Sequence, residues 1–220
     1  MEGFSMHDEL LRRHLELVIE ANKTTNITRI ASMEEGMLLH VEDSLIGLPE
    51  LEAAPRGRYA DLGSGAGYPG IPLAIETGRQ TLLVDSVGKK TAILESMIGE
   101  LGLENVSTYT GRIEDLAREH AGEFAVVTAR ALAKLSVLME LTSPLLQKGG
   151  RLVCYKALVD DEELRNARAL QNLLNMKLVS DRTVQLDDKV RRLIVFEKQG
   201  KPRVKLPRKT GLAQKKPLTA

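Results

Sequence analysis

The chain has 220 residues, of which 43% are hydrophobic and 28% charged, and its formal net charge is +1; this is enough for one substantial core, and nothing before the tail has the composition of a disordered segment. A single cysteine, Cys154, excludes an internal disulfide framework and a cysteine-based zinc site, and no metal site is expected. No apolar run approaches the length of a membrane span, and the opening segment MEGFSMHDELLRRHLELVIEAN mixes charges, so a cytoplasmic protein is expected.

In chain order, Leu10, Leu11, Leu15, Val18 and Ile19 recur at helical spacing, and a second helix is predicted over Met33 to Ile46. Residues 1–54 should therefore form a helical cap. After Pro55 the pattern changes to strands at Arg58 to Asp61, Thr81 to Asp85, Val106 to Tyr109, Phe124 to Ala129, Arg151 to Lys156, Lys177 to Val184 and Arg191 to Lys198, with helices between the first six. That alternation predicts an α/β fold with a doubly wound, Rossmann-like sheet. The last two strands are separated only by Gln185 to Val190, too short for a crossover, so they should form an antiparallel hairpin. Six parallel strands and one antiparallel strand match a methyltransferase sheet better than a dinucleotide-binding one. Aromatic residues make up 3% and Trp is absent, which leaves Leu, Ile, Val, Ala and Met to build the core. A single domain is expected, with the cap at 1–54, the core at 55–198 and a basic tail at 199–220.

The segment RYADLGSGAGYPGIPLAIETGRQTLLVD, Arg58 to Asp85, carries the strongest chemical signal. Gly63, Gly65, Gly67 and Gly70 remove side chains where the backbone must turn sharply and let a ligand touch it. Asp85 closes the next strand, twenty-two residues after Gly63, where its carboxylate would meet ribose hydroxyls. The unit therefore reads as a nucleoside site for either a nicotinamide dinucleotide or S-adenosylmethionine. Pro69, Pro72 and Tyr68 crowd the helix start that a pyrophosphate would need, which favours the second. Asp85 could instead cap the following helix, but Ser86 is available for that.

Eight Lys or Arg and no acid occur from Lys198 onward, which leaves a net −7 on the preceding 197 residues. Lys201, Arg203, Lys205, Arg208, Lys209, Lys215 and Lys216 are candidate phosphate contacts on a cationic arm.

Several segments carry a closer resemblance: NKTTNIT (Asn22 to Thr28), HVEDSL (His40 to Leu45), DLGSGAGYPGIPLAI (Asp61 to Ile75), LLVDSVGKKTAIL (Leu82 to Leu94), ELGLENV, GRIEDL (Gly111 to Leu116), TARALA (Thr128 to Ala133) and PRKTGLAQKKPL (Pro207 to Leu218). Along nearly its whole length the chain resembles the ribosomal RNA small subunit methyltransferase G family, also called glucose-inhibited division protein B. It departs from the family pattern at Ala157, after the fifth strand, and at Thr128 and Ala129, before Arg130. The resemblance implies a class I S-adenosylmethionine-dependent methyltransferase fold. It also implies methyl transfer to N7 of one guanosine of 16S rRNA, in the hairpin loop near the decoding centre. Cofactor contacts carry over onto Gly63, Tyr68, Ile113, Glu114 and Arg130, with Glu114 placed to accept from an exocyclic amine and Arg130 open to cofactor, RNA or both. The implied partner is 16S rRNA or the small subunit, with no DNA or membrane, and the protein is expected to be a monomer.

The chemistry is compatible with these residues. Guanine N7 is a free lone pair, so its methylation needs alignment and no general base, and no acid–base catalytic residue is expected. TARALAKL lacks the Asn or Asp followed by Pro-Pro and an aromatic that amine methylation uses. C5 methylation would need a cysteine nucleophile, whereas Cys154 sits in an apolar strand and reads as core. His40, Asp43, Ser44 and Asn26 read as structural anchors of the cap. Two other readings remain: an RNA-binding assembly factor with a vestigial pocket, and a nicotinamide-dependent oxidoreductase.

Overall fold

In the computed structural model, which describes residues 5–219, helix α1 (Met6–Asn22) opens with a reciprocal cap. The Ser5 hydroxyl accepts from the Asp8 N–H and Asp8 accepts from the Ser5 N–H, so two otherwise orphaned donors are satisfied. Leu11, Leu15 and Val18 share one face and are buried. The helix expected over Met33 to Ile46 is present but not uniform. Helix α2 (Met33–Gly36) runs through a π-helical turn, Met37–Glu42, into α3 (Asp43–Leu45), and α4 (Leu48–Glu52) follows. The wider turn brings His40 and Val41 inward.

The core alternates as expected: β1 (Arg58–Leu62), α5 (Gly70–Thr77), β2 (Thr81–Asp85), α6 (Gly88–Leu101), β3 (Val106–Thr110), α7 (Ile113–Glu119), β4 (Phe124–Arg130), α8 (Leu135–Thr142), β5 (Leu146–Lys156), α9 (Asp161–Ala169), α10 (Gln171–Leu174), β6 (Met176–Leu186), β7 (Lys189–Lys198) and α11 (Leu212–Lys215). The sheet order is β3-β2-β1-β4-β5-β7-β6, with β7 antiparallel to both of its neighbours and the other six strands parallel. The chain reverses direction across the sheet between β1 and β4, the place where open α/β sheets leave a crevice for ligands.

Two strands exceed their expected bounds. β5 begins at Leu146, which pairs with Phe124; the register then jumps to Val126 and Arg151, so the polar, glycine-containing residues 147–150, which carry no apolar signal, form an irregularity within the strand. The β6–β7 ladder continues to Leu186 and Lys189, so the turn is only Asp187 and Asp188, with Asp187 at φ 52°.

Both sheet faces are covered. On one, Leu62, Val84, Phe124, Leu152 and Phe196 pack with Leu135 and Leu138 of α8. On the other, the cap residues Leu11, Leu15 and Val18 meet Ile71 of α5, Leu83 of β2 and Leu94 of α6. Cys154 lies in the core, fully buried, and burial pushes its thiol up to about 12. The cap is also tied down by polar contacts: Arg79 donates to the Leu51 and Pro55 carbonyls at 2.8 Å, and Arg182 pairs with Glu50 at 2.6 Å.

The tail does not extend as an arm. Val204, Leu206 and Leu218 pack against the core, Ala213 is buried beside Val137 and Leu141, and Arg203 N–H donates to the Leu173 carbonyl at 2.8 Å. Apolar residues interleaved with the cations make this docking possible.

Candidate functional site

The glycine turn leaves β1 with Gly63, Gly65 and Gly67 at φ 70°, 56° and 93°, a region that side-chain-bearing residues rarely adopt. It is fastened to β2. Gly63 and Ser64 N–H both donate to the Val84 carbonyl, and Ser64 Oγ accepts from Val84 N–H. Asp85, 8% exposed, completes the fastening: Oδ2 accepts from Gly65 N–H at 3.2 Å and Oδ1 from Val87 N–H at 2.9 Å. Ser86 does not cap α6, whose N-cap is Val87 with no side-chain bond, because Asp85 already reaches that backbone.

Above the ends of β1, β2 and β3 lies a cavity of about 320 Å³, lined by Gly63, Val84, Asp85, Ile113, Glu114, Leu132, Leu141 and Gln214, among others. Gly63, Asp85, Ile113 and Glu114 are therefore brought together. Gly65 supports the turn through Asp85 and does not itself line this cavity. Glu114 is 5% exposed, and one of its oxygens, Oε1, accepts from the Gly211 N–H of the tail at 2.6 Å. Gln214 and Leu132 escaped sequence reasoning, since nothing local to α11 or to the loop after β4 signals that they face a cleft.

Tyr68 and Arg130 are placed elsewhere. The Tyr68 ring is 3% exposed, stacked on His40 at 4.3 Å and close to His14 at 4.5 Å, so it braces the glycine turn from the cap side instead of facing the cavity. Burial raises its hydroxyl pKa, and that oxygen has no partner among the described residues. His14 Nε2 lies 3.1 Å from the Ala66 carbonyl, which can only accept, so this nitrogen carries the proton. Arg130 donates to Asp43 Oδ2 at 2.7 Å, to the Leu39 carbonyl at 3.2 Å and to His40 Nδ1 at 3.4 Å. Because a guanidinium only donates, His40 Nδ1 accepts, and Nε2 carries the hydrogen bonded to Thr28 Oγ1 at 2.8 Å. Asp43 is shared with Arg191, 2.6 Å from its other oxygen. Arg130 thus lines a second cavity, of about 480 Å³, with Asp43, Lys156 and Arg191; Ala131, at φ 53°, borders both cavities.

Asp61 is a further member that the sequence reading did not single out. It is fully buried near the end of β1, accepts from Thr128 Oγ1 at 2.6 Å and leaves Oδ2 without a partner among the described residues; burial pushes its carboxyl up to about 6.

Of the tail cations, Lys201, Arg203, Lys205, Lys209, Lys215 and Lys216 are exposed and form no ion pair among the described residues. Arg208 is the exception. Its guanidinium makes two bonds of 2.7 Å to Glu140, which is 3% exposed, and so it is taken up by the fold and not available to a phosphate.

The first cavity suits S-adenosylmethionine. Asp85 and Glu114 offer acceptors for hydroxyls and an amine, Val84, Ile113 and Leu132 give apolar walls, and a Cβ at Gly63 would stand 3.0 Å from Leu132 Cδ1, narrowing the entrance. Among solved structures, the chain is similar to MtNAS in complex with MTA and tNA, with a TM-score of 0.59, 16% identity, and coverage of 87% of this chain and 71% of that one. It is also similar to geranyl diphosphate methyltransferase in complex with SAM, with a TM-score of 0.58, 13% identity, and coverage of 72% and 85%. Such identities speak for the fold alone, that of class I S-adenosylmethionine-dependent methyltransferases. Sequence relatives are much nearer: the ribosomal RNA small subunit methyltransferase G of Streptococcus pyogenes serotype M12 is 37% identical over 99% of this chain and 95% of its own length. The family model described as rRNA small subunit methyltransferase G matches residues 7–194, and the chain belongs to that family.

Proposed function

We propose that this protein transfers the methyl group of S-adenosylmethionine to N7 of one guanosine of 16S rRNA, in the small-subunit hairpin loop near the decoding centre. One observation carries the reading: in a chain of this family, a carboxylate-lined cavity at the glycine turn adjoins, across Ala131, a second cavity that joins apolar walls to Arg130, Lys156 and Arg191. Bound S-adenosylmethionine supplies an electrophilic methyl on a sulfonium. The protein's own task is alignment, because N7 is unprotonated at neutral pH and no side chain must remove a proton. In this reading Gly63, Gly65, Asp85, Ile113 and Glu114 hold the cofactor, Tyr68 stiffens the turn, and Arg130 positions the wall between the two cavities. Lys201, Arg203, Lys205, Lys209, Lys215 and Lys216 give the RNA backbone its counter-charges.

The protein acts in the cytoplasm as a monomer and a single domain, on RNA and not DNA, and without membrane contact; no described helix is long and apolar enough to cross a membrane. An assembly factor with a vestigial pocket is not favoured, since the glycine turn keeps its bond to Asp85.

The test is methyl transfer from labelled S-adenosylmethionine to unmodified small subunits and to naked 16S rRNA, followed by the strand scission that 7-methylguanosine undergoes after reduction. A single cleavage site dependent on enzyme and cofactor is expected. Label that resists scission would contradict N7 as the acceptor.

A further inference from the structure

We propose that the second cavity receives the target guanine after it has left its stack in the RNA, and that Leu158 is the side chain that fills the vacated space. The proposal rests on the methyltransferase reading above and adds to it how the base reaches the methyl donor.

Leu158 is 90% exposed, the most exposed of the large hydrophobic side chains described. A single exposed leucine is ordinarily unremarkable. This one lines the mouth of the second cavity, on the short connection between β5 and α9, beside Lys156. The cavity joins an apolar wall, from Ile30, Leu39, Tyr155 and Ala157, to three cations that the fold already pairs, Arg130 and Arg191 with Asp43, which is 3% exposed, and Lys156 with Glu163; His40 is kept neutral against Arg130. An apolar recess whose cations are already paired is poorly suited to a free anion. It suits a nucleobase, whose flat faces pack on the apolar wall while its polar edge meets the guanidinium N–H groups of Arg130 and Arg191.

The chemistry supplies the reason for leaving the stack. A guanine in a hairpin loop still stacks on its neighbours, and an enzyme acting on its N7 gains access by splaying it out or by taking one already unstacked. Extrusion leaves a gap between neighbouring bases, and apolar side chains such as leucine fill gaps of that kind. Ala131 forms the border between the recess and the cofactor cavity, which places the two reactants on either side of one residue.

The experiment compares wild type, Leu158→Ser, Leu158→Phe and the control Val179→Ser, which alters another exposed apolar residue, on β6 away from both cavities. Each is assayed for S-adenosylmethionine affinity by calorimetry, for melting temperature, and for single-turnover methylation of two RNAs. One RNA is a structured hairpin containing the target guanosine; the other is the same hairpin with abasic sites flanking the target, so that no stack must be broken. Leu158→Ser should lose about tenfold or more on the intact hairpin, keep its cofactor affinity and melting temperature, and regain most of the loss on the abasic substrate. Leu158→Phe should restore activity, and Val179→Ser should match wild type. Wild-type rates for Leu158→Ser on the intact hairpin, or an equal loss on both RNAs, would overturn the proposal. If wild type itself fails on small subunits and on both hairpins, the methyltransferase reading falls, and this one with it.

Discussion

Asp85 shows how one side chain serves both the fold and the site. Each of its oxygens takes a backbone N–H, one from the glycine turn and one from the start of α6. Asp85→Ala leaves both donors unpaired, and a loss of about 1 to 3 kcal/mol in cofactor binding free energy is expected by calorimetry, with a smaller loss for Asp85→Asn. Equal affinity in wild type and Asp85→Ala would remove the residue from the site. Arg130 carries a second expectation. Its position at a strand end suggests a role on the ligand face alone, but the structure pairs it with buried Asp43, from which it is separated by 87 positions. Arg130→Ala should therefore also lower stability, toward the low end of the roughly 3 to 5 kcal/mol for a broken buried pair, because Arg191 remains. Adding Asp43→Asn should recover part of that loss in urea denaturation; no recovery would mean that the pair is not the cause.

Buried histidines set the acid limit. Burial lowers His14 to about 3, and burial together with the Arg130 charge lowers His40 to about 4, both from 6.5. Between those values and about 6.5 the unfolded chain binds more protons, so stability falls as the pH drops through this window. Asp61 opposes them: its carboxyl is raised from 3.8 to about 6, and its contribution is lost as the pH rises through that interval. Two histidines outweigh one acid. His14→Gln should flatten the acid limb by up to about 1.4 kcal/mol per pH unit, read from urea midpoints at several pH values between 4.5 and 6.5. A limb as steep as that of wild type would contradict a neutral buried His14.

At the level of elements, the tail is where composition and structure diverge. Eight cations without an acid read as a free arm, yet Val204, Leu206, Ala213 and Leu218 anchor the segment, Arg208 pairs with Glu140, and Gly211 occupies Glu114. Deleting 201–220 is thus expected to lower the melting temperature and weaken cofactor binding as well as RNA binding. Replacing Lys201, Arg203 and Lys205 with Gln isolates the electrostatic part. Each lost phosphate contact should reduce the slope of log affinity against log salt by roughly 0.7 to 0.9, with cofactor affinity unchanged. An unaltered slope would mean that these cations do not meet phosphates.

The same comparison shows what sequence can carry. The succession of strands and helices, the glycine turn and the terminal hairpin were legible because each is encoded within a few residues, by apolar runs, by glycines that must adopt positive φ and by a connection too short for a helix. The early start of β5 was not, since residues 147–150 carry no apolar pattern and only Leu146 pairs with β4 ahead of them. Nor were the partners of Tyr68, Arg130 and Arg208, because side chains far apart in sequence meet only after the sheet and cap have assembled.

For the whole molecule, the cap, the glycine turn and the terminal segment form one connected surround for the two cavities. His14 of α1 reaches the Ala66 carbonyl, Arg191 of β7 reaches Asp43 in the cap, and Gly211 of the tail reaches Glu114. Changes in any of the three should therefore be felt at the cofactor. The central claim, that this surround delivers a methyl group to one guanine N7 in small-subunit RNA, is met most directly by mass mapping of nucleotides after unmodified small subunits are incubated with the protein and S-adenosylmethionine. The account predicts one nucleotide, a guanosine in the hairpin loop near the decoding centre, heavier by a single methyl, and its absence with Asp85→Ala at limiting cofactor. A methyl group on another base, or no mass change with wild type, would contradict it.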